Sequence, residues 1–297
     1  MSKKPHRAGF VNIIGKPNVG KSTLMNKLMG ERMSIITSKA QTTRHRIMGI
    51  LSGDDFQVVY SDTPGIIKPE YELHKSMMKF VQTSLEDADI ILFVTDLYEK
   101  YDEEDESIRM LNKADVPVIL LLNKIDESKG SQAHDKMEYW KEHIRHDEAL
   151  LISALEGDGV GEVFDALLKY LPEHPAYFDK DQLTDKPERF FAAEIVREKI
   201  FLNYRKEVPY STEVVIEEFK EDEKIIRMRA LIYVERKSQK GIIIGHKGEK
   251  LKKVGIESRA DLEKFFNKQV HIETFVKVEP DWRTNNRKLG NFGYNEK

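Results

Sequence analysis

Eight residues near the start of the chain, GKPNVGKS (Gly15–Ser22), have the types and spacing of a loop that holds phosphates. Glycines let successive backbone N–H groups face one cavity, and a helix that begins there adds positive potential. The expected cradle runs through Gly15, Lys16, Pro17, Asn18, Val19 and Gly20, with Lys21 on the β- and γ-phosphates. Ser22 is expected to bind Mg²⁺, and Thr23 extends the site into the helix. The base is addressed elsewhere. In Asn123-Lys124-Ile125-Asp126, the Asp126 carboxylate can accept two hydrogen bonds, from guanine N1–H and its exocyclic amine. Adenine has no such donor pair, so accepting it would leave a buried carboxylate unsatisfied. Asn123 and Lys124 would brace the base and the phosphate loop, and Ser153-Ala154 could present a backbone N–H to guanine O6.

Two further stretches complete a nucleotide switch. In Asp62-Thr63-Pro64-Gly65, Asp62 can hold Mg²⁺ through water and the Gly65 N–H can meet the γ-phosphate. In Gln41-Thr42-Thr43-Arg44, a threonine can complete the Mg²⁺ shell only when the γ-phosphate is present. Thr43 is preferred to Thr42 for that role. The residue after Gly65 is Ile66, which cannot orient a water molecule.

The elements that must position these residues follow from apolar periodicity. Phe10–Ile14, Phe56–Tyr60, Ile90–Thr95 and Val118–Leu122 read as buried strands, and 22–29 and 138–146 as helices between them. Alternating strands and helices predict an α/β domain over residues 1–172, a mainly parallel sheet with ligands at the C-terminal strand ends. Residues 173–187, rich in proline, Asp and Lys, read as a linker. Beyond it the order is a helix over 188–206, strands over 213–219 and 225–234, a glycine loop, a helix over 250–267 and a strand over 270–278. Residues 188–281 form the second domain in this reading, and 282–297 a polar tail with Trp282 packed on that domain.

The second glycine loop, Gly245-His246-Lys247-Gly248, lacks the following Ser/Thr that a nucleotide loop needs. It sits in the most basic part of the chain: 236–253 holds seven Lys/Arg against Glu249 alone. The net charge of −3 divides into −7 over residues 1–180 and +4 over 181–297. G-x-x-G between helices, in a helix-and-three-strand unit, is the KH arrangement for single-stranded RNA, here of type II. Ile242, Ile243 and Ile244 are expected to form a wall under the bases, with Lys247, Lys250, Lys252 and Lys253 around the phosphates.

The nucleotide motifs resemble those of the translation-factor-related class of Ras-like P-loop GTPases. With QTTRHR and IIGHKG added in order, nearly the whole chain resembles the Era family of bacterial GTPases. The resemblance implies a GTP/GDP switch that binds the 3′ region of 16S rRNA and acts in assembly of the small ribosomal subunit. It also implies a monomer with peripheral contact to the inner face of the cell membrane. Asn18 resembles the residue that lets related GTPases hold K⁺ beside the phosphates, which would offset the loss of a glutamine at Ile66. The competing expectation is a signalling or scaffold GTPase whose C-terminal half binds protein.

The 297 residues, 40% hydrophobic and 33% charged, suit a soluble globular protein. The absence of cysteine excludes disulfides and thiolate metal sites. No signal-peptide core or membrane-length apolar run is present, and the expected location is the cytoplasm.

Overall fold

Strands that are apolar along their whole length must be covered on both faces, and this sheet is. The computed structural model describes residues 5–102 and 105–294. It divides into two compact units: Met1–Ser34, Thr43–Lys68 and Met77–Asp185 form the first; Ile35–Thr42, Pro69–Ser76 and Lys186–Lys297 form the second.

The first unit contains β1 (Arg7–Ile14), α1 (Lys21–Met29), β2 (Ile47–Ser52), β3 (Phe56–Asp62), most of α2 (Glu72–Glu86) and β4 (Ile90–Asp96). It continues with α3 (Glu106–Asn112), β5 (Val118–Asn123), α4 (Gln132–His143), β6 (Glu148–Leu151) and α5 (Val160–Tyr170). The strand order is β2-β3-β1-β4-β5-β6, parallel except for β2, which runs antiparallel to β3. Every residue of β4 and β5 is buried. Phe93 and Leu120 share their core with Met137 and the fully buried Trp140 of α4. That helix starts at Gln132, earlier than its charged C-terminal half suggests, and ends at His143 because the buried Ile144 turns to extended backbone ahead of β6.

The segment read as a linker is strapped to the first unit. Thr184 and Leu183 lie along β2, with Ile50 N donating to Leu183 O at 2.8 Å and Thr184 Oγ1 to Met48 O at 2.7 Å. The Gln57 carboxamide accepts from the amides of Tyr177 and Phe178. An edge strand that would otherwise be open to other chains is thereby covered.

The second unit holds α6 (Glu188–Asn203), β7 (Thr212–Glu221), β8 (Ile225–Val234), α7 (Lys237–Ile244), α8 (Glu249–Phe266), β9 (Gln269–Val278) and α9 (Asn286–Asn291). Its sheet order is β7-β8-β9, with β8 antiparallel to β7 and parallel to β9. Ile226, Met228, Ala230, Ile232 and Val234 alternate into one core with α6, Val254 and Leu262. Helix α6 stops at Asn203, short of the expected 206, because Tyr204 becomes extended and its hydroxyl donates to Ile243 O at 2.6 Å. The polar tail is not free. Trp282 is fully buried and its indole N–H donates to Ser211 O, while the Tyr294 hydroxyl donates to Glu213. Residues 295–297 of that tail lie outside the described residues.

Candidate functional site

The nucleotide motifs sit at the C-terminal ends of β1, β3, β5 and β6, on one edge of the sheet, as parallel connectivity requires. Gly15–Gly20 turns from β1 into α1, and Lys21 is folded back onto the loop. Its ammonium donates to Gly15 O at 2.9 Å and Lys16 O at 2.8 Å. Burial lowers its pKa to about 8, against the opposing pull of Asp62 and Glu99. Lys16 and Pro17 are half-buried and Val19 is buried, whereas Asn18 is exposed and takes a left-handed backbone at φ 67°. Thr23 lies in the first turn of α1.

The metal candidates converge. Ser22 Oγ donates to Asp62 Oδ2 at 2.6 Å and lies 2.9 Å from Thr43 Oγ1, which is itself 3.3 Å from Asp62 Oδ2. Thr42 points elsewhere, its hydroxyl donating to Lys39 O at 2.6 Å. Asp62 Oδ1 is buried with no hydrogen-bond partner, and burial holds this carboxyl above its ordinary pKa. A hard oxygen set with one orphaned buried carboxylate oxygen fits Mg²⁺, for which phosphates and water supply the remaining ligands. Among the described residues no cluster of three or more His, Cys, Asp or Glu competes for a metal.

Thr63, Pro64 and Gly65 are pressed against the phosphate loop. The Thr63 hydroxyl donates to Ile13 O at 2.9 Å, and Ile66 N donates to Gly15 O at 3.1 Å. A Cβ on Gly65 would stand 2.6 Å from Pro17 N, so no other residue fits without moving the loop. Ile66 is buried in the core beside Ile14, which removes it from any role on water.

In the base pocket Asn123 Nδ2 donates to Val19 O at 2.7 Å and its Oδ1 accepts from Ala154 N at 2.9 Å. Asp126 Oδ1 accepts from Ser153 Oγ at 2.5 Å. Lys124, left-handed at φ 65°, is ion-paired with Asp96 at 2.7 Å. Ser153 N donates to Asp158 O and Ala154 N to Asn123, so both amides hold the loop beside the motif in place.

The basic loop of the second unit is built differently. Gly245 caps α7, His246–Gly248 makes one tight turn, and Gly248 opens α8 at φ 82°. A Cβ on Gly248 would meet nothing within 4 Å; its glycine serves the backbone angle and leaves room for another chain. His246, Lys247, Lys250, Lys252 and Lys253 are exposed. The expected isoleucine wall is corrected: in α7 successive residues are about 100° apart, so only one of three can face out. Ile242 is 42% exposed, Ile243 is fully buried in the core, and Ile244 packs partly against it. Ile256, 60% exposed, is one turn beyond Lys252 and Lys253 on α8 and leaves an apolar side chain uncovered there. In the same unit Arg197, fully buried and paired with Glu194, donates to the Thr42 carbonyl. Asp96, Arg197 and Ile256 were not identifiable from sequence, since no motif surrounds them and their partners are distant in the chain.

A family model described as "50S ribosome-binding GTPase" matches residues 10–124, and a KH domain model matches 207–283. The GTPase Era of Syntrophus aciditrophicus is 47% identical over 293 residues, which span 98% of this chain and 96% of that protein. The chain belongs to the Era family of GTPases. GTP hydrolysis is therefore its reaction, and the GTPase Era of Geobacter metallireducens is similar at 45% identity over 99% of this chain and all of its own length. Two solved Era structures match at 40% identity, with a TM-score of 0.91 over 98% of this chain and 100% of theirs. One holds MgGDPNP and nucleotides 1506–1542 of 16S ribosomal RNA; the other, a variant from Aquifex aeolicus, holds GDP and AlF₄⁻. Among the described residues no helix is long and apolar enough to cross a membrane.

Proposed function

We propose that this GTPase is a switch in small-subunit assembly whose nucleotide state sets the affinity of its KH domain for the 3′ region of 16S rRNA. The observation that carries the reading is an open, glycine-flanked basic turn on the same chain as a phosphate cradle, in a family with a relative solved on such an RNA. The GTPase domain would end at 172 and the KH domain span 188–281, with the buried tail as an addition to it. Its place is the cytoplasm, and contact with the inner face of the membrane would be peripheral.

In this reading Lys21 holds the β- and γ-phosphates, Ser22 and Thr43 ligate Mg²⁺, and Asp62 holds it through water. Bound Mg²⁺ neutralises charge on the transferring phosphoryl group. Gly65 offers its N–H to the γ-phosphate from a backbone already pressed on Pro17. Asp126 reads guanine. Asn18, exposed in the loop, would help hold K⁺, which would supply the positive charge that a GTPase without the glutamine needs. Thr42 and Thr43 carry the signal: Thr43 meets Ser22 and Asp62, and the preceding carbonyl accepts from Arg197.

Filter binding of a fragment from the 3′ end of 16S rRNA, with GTP analogue or GDP present, tests the switch. Different affinities are expected; identical ones would remove it while leaving the GTPase intact. No binding, with capture of a protein partner, would favour the scaffold reading. Hydrolysis should be faster in K⁺ than in Na⁺, and equal rates would remove K⁺ from Asn18.

A further inference from the structure

We infer that Asp96 is a positioning residue of the guanine pocket, acting through Lys124. It ends β4, one strand away from the motif it serves, and only 5% of it is exposed. Its two oxygens have separate tasks. Oδ1 accepts from Tyr98 N at 2.9 Å and Glu99 N at 3.1 Å, which turns the chain away from the strand and fixes the carboxylate. Oδ2 accepts from the Lys124 ammonium at 2.7 Å.

The other polar residues of the motif are held in the same way: Asn123 by Val19 O and Ala154 N, Asp126 by Ser153. Lys124 has the longest side chain, stands in a left-handed backbone, and is more than a quarter exposed along its side chain. Without a fixed anion its four-carbon stem would sample many rotamers, and that freedom would be lost each time a base is bound. Asp96 removes the freedom beforehand. The charge is local: Lys136 and Glu99 are also near, but the Lys136 ammonium donates to Glu99 O and the Glu99 carboxylate accepts from Thr95. Tyr98 extends the support, its hydroxyl donating to Glu127 at 2.9 Å just after the motif.

The inference rests on Lys124 bracing the base, so the test separates the two. Asp96→Asn keeps the shape and the acceptor for Tyr98 and Glu99 but removes the charge. Dissociation constants for GDP and a GTP analogue are expected to rise about tenfold together, with kcat at saturating GTP within about twofold of the parent. Lys124→Met is expected to weaken binding by a similar factor. The double variant should be no weaker than Lys124→Met alone, because the two act as one unit. Unchanged affinity in Asp96→Asn, or factors that multiply in the double variant, would overturn the inference. Unchanged affinity in Lys124→Met would instead overturn the bracing role itself. A fall in kcat and melting temperature without a change in affinity would mark Asp96 as merely structural and also overturn it. Asp96→Ala repeats the measurement if the Asn variant folds poorly.

Discussion

The chain places glycine beside lysine in two loops, in opposite ways. In Gly15–Ser22 the lysine is buried, bonded to two loop carbonyls and depressed to about pKa 8. The backbone of Gly65 closes on the loop from the side. In Gly245–Gly248 the lysine is exposed and the space beside Gly248 is open. A cradle spends packing to hold one small anion in one geometry, and burial multiplies the worth of each charge. An open turn accepts a polymer that arrives from outside, and relies on several screened charges at once. The same two residue types therefore form a buried cradle or an open turn according to what packs around them.

Substitutions can push this contrast to failure. The largest effect is expected at the base: Asp126→Asn should move preference from GTP towards XTP by ~10⁴, because a donor–acceptor mismatch at a site built to hydrogen-bond the base edge is the strongest discriminator. Competition between the two nucleotides measures it, and unchanged GTP use would undo the base assignment. Next, Lys21→Ala should lower GTP turnover by ~10²–10³, as loss of a preorganised charge does. RNA affinity of the nucleotide-free protein should stay as it was; a joint loss would mean the two loops are not separate devices. Nucleotide affinity should also fall about tenfold per pH unit above pH 8, as Lys21 loses the proton that phosphate requires. The sign for stability is opposite. Between about pH 8 and 10.5 the unfolded chain binds the extra proton, so this residue's contribution to stability rises with pH there. A pH-independent dissociation constant up to pH 9.5 would show that Lys21 is not the depressed group. The smallest effect is at the open loop, where Lys247→Ala should weaken RNA binding by ~3- to 10-fold and lower the salt slope by about 1. Loss to the extent seen at Lys21 would make this loop a cradle too.

Much of the nucleotide site was legible because its motifs are local: Ser22, Asp62 and Thr43 do come within hydrogen-bond distance of one another. The isoleucine wall was not, because three adjacent residues cannot share one face of a helix and the sequence does not state which one turns outward. The partners of the Ser153 and Ala154 amides were not legible either, because Asp158 and Asn123 reach them only in the folded chain.

By itself, then, the amino-acid sequence determined the order of strands and helices, the α/β character of the first unit and which short stretches can meet phosphate, guanine or RNA. Those properties live in spacing and periodicity over a few residues. Tertiary structure alone decided that Lys21 is buried, that Asp96 holds Lys124 and that Arg197 reaches Thr42. It also decided that the segment before Lys186 is strapped along β2. Each of these depends on residues far apart in the chain, and a charge or carbonyl has no defined partner until packing brings one within about 3 Å.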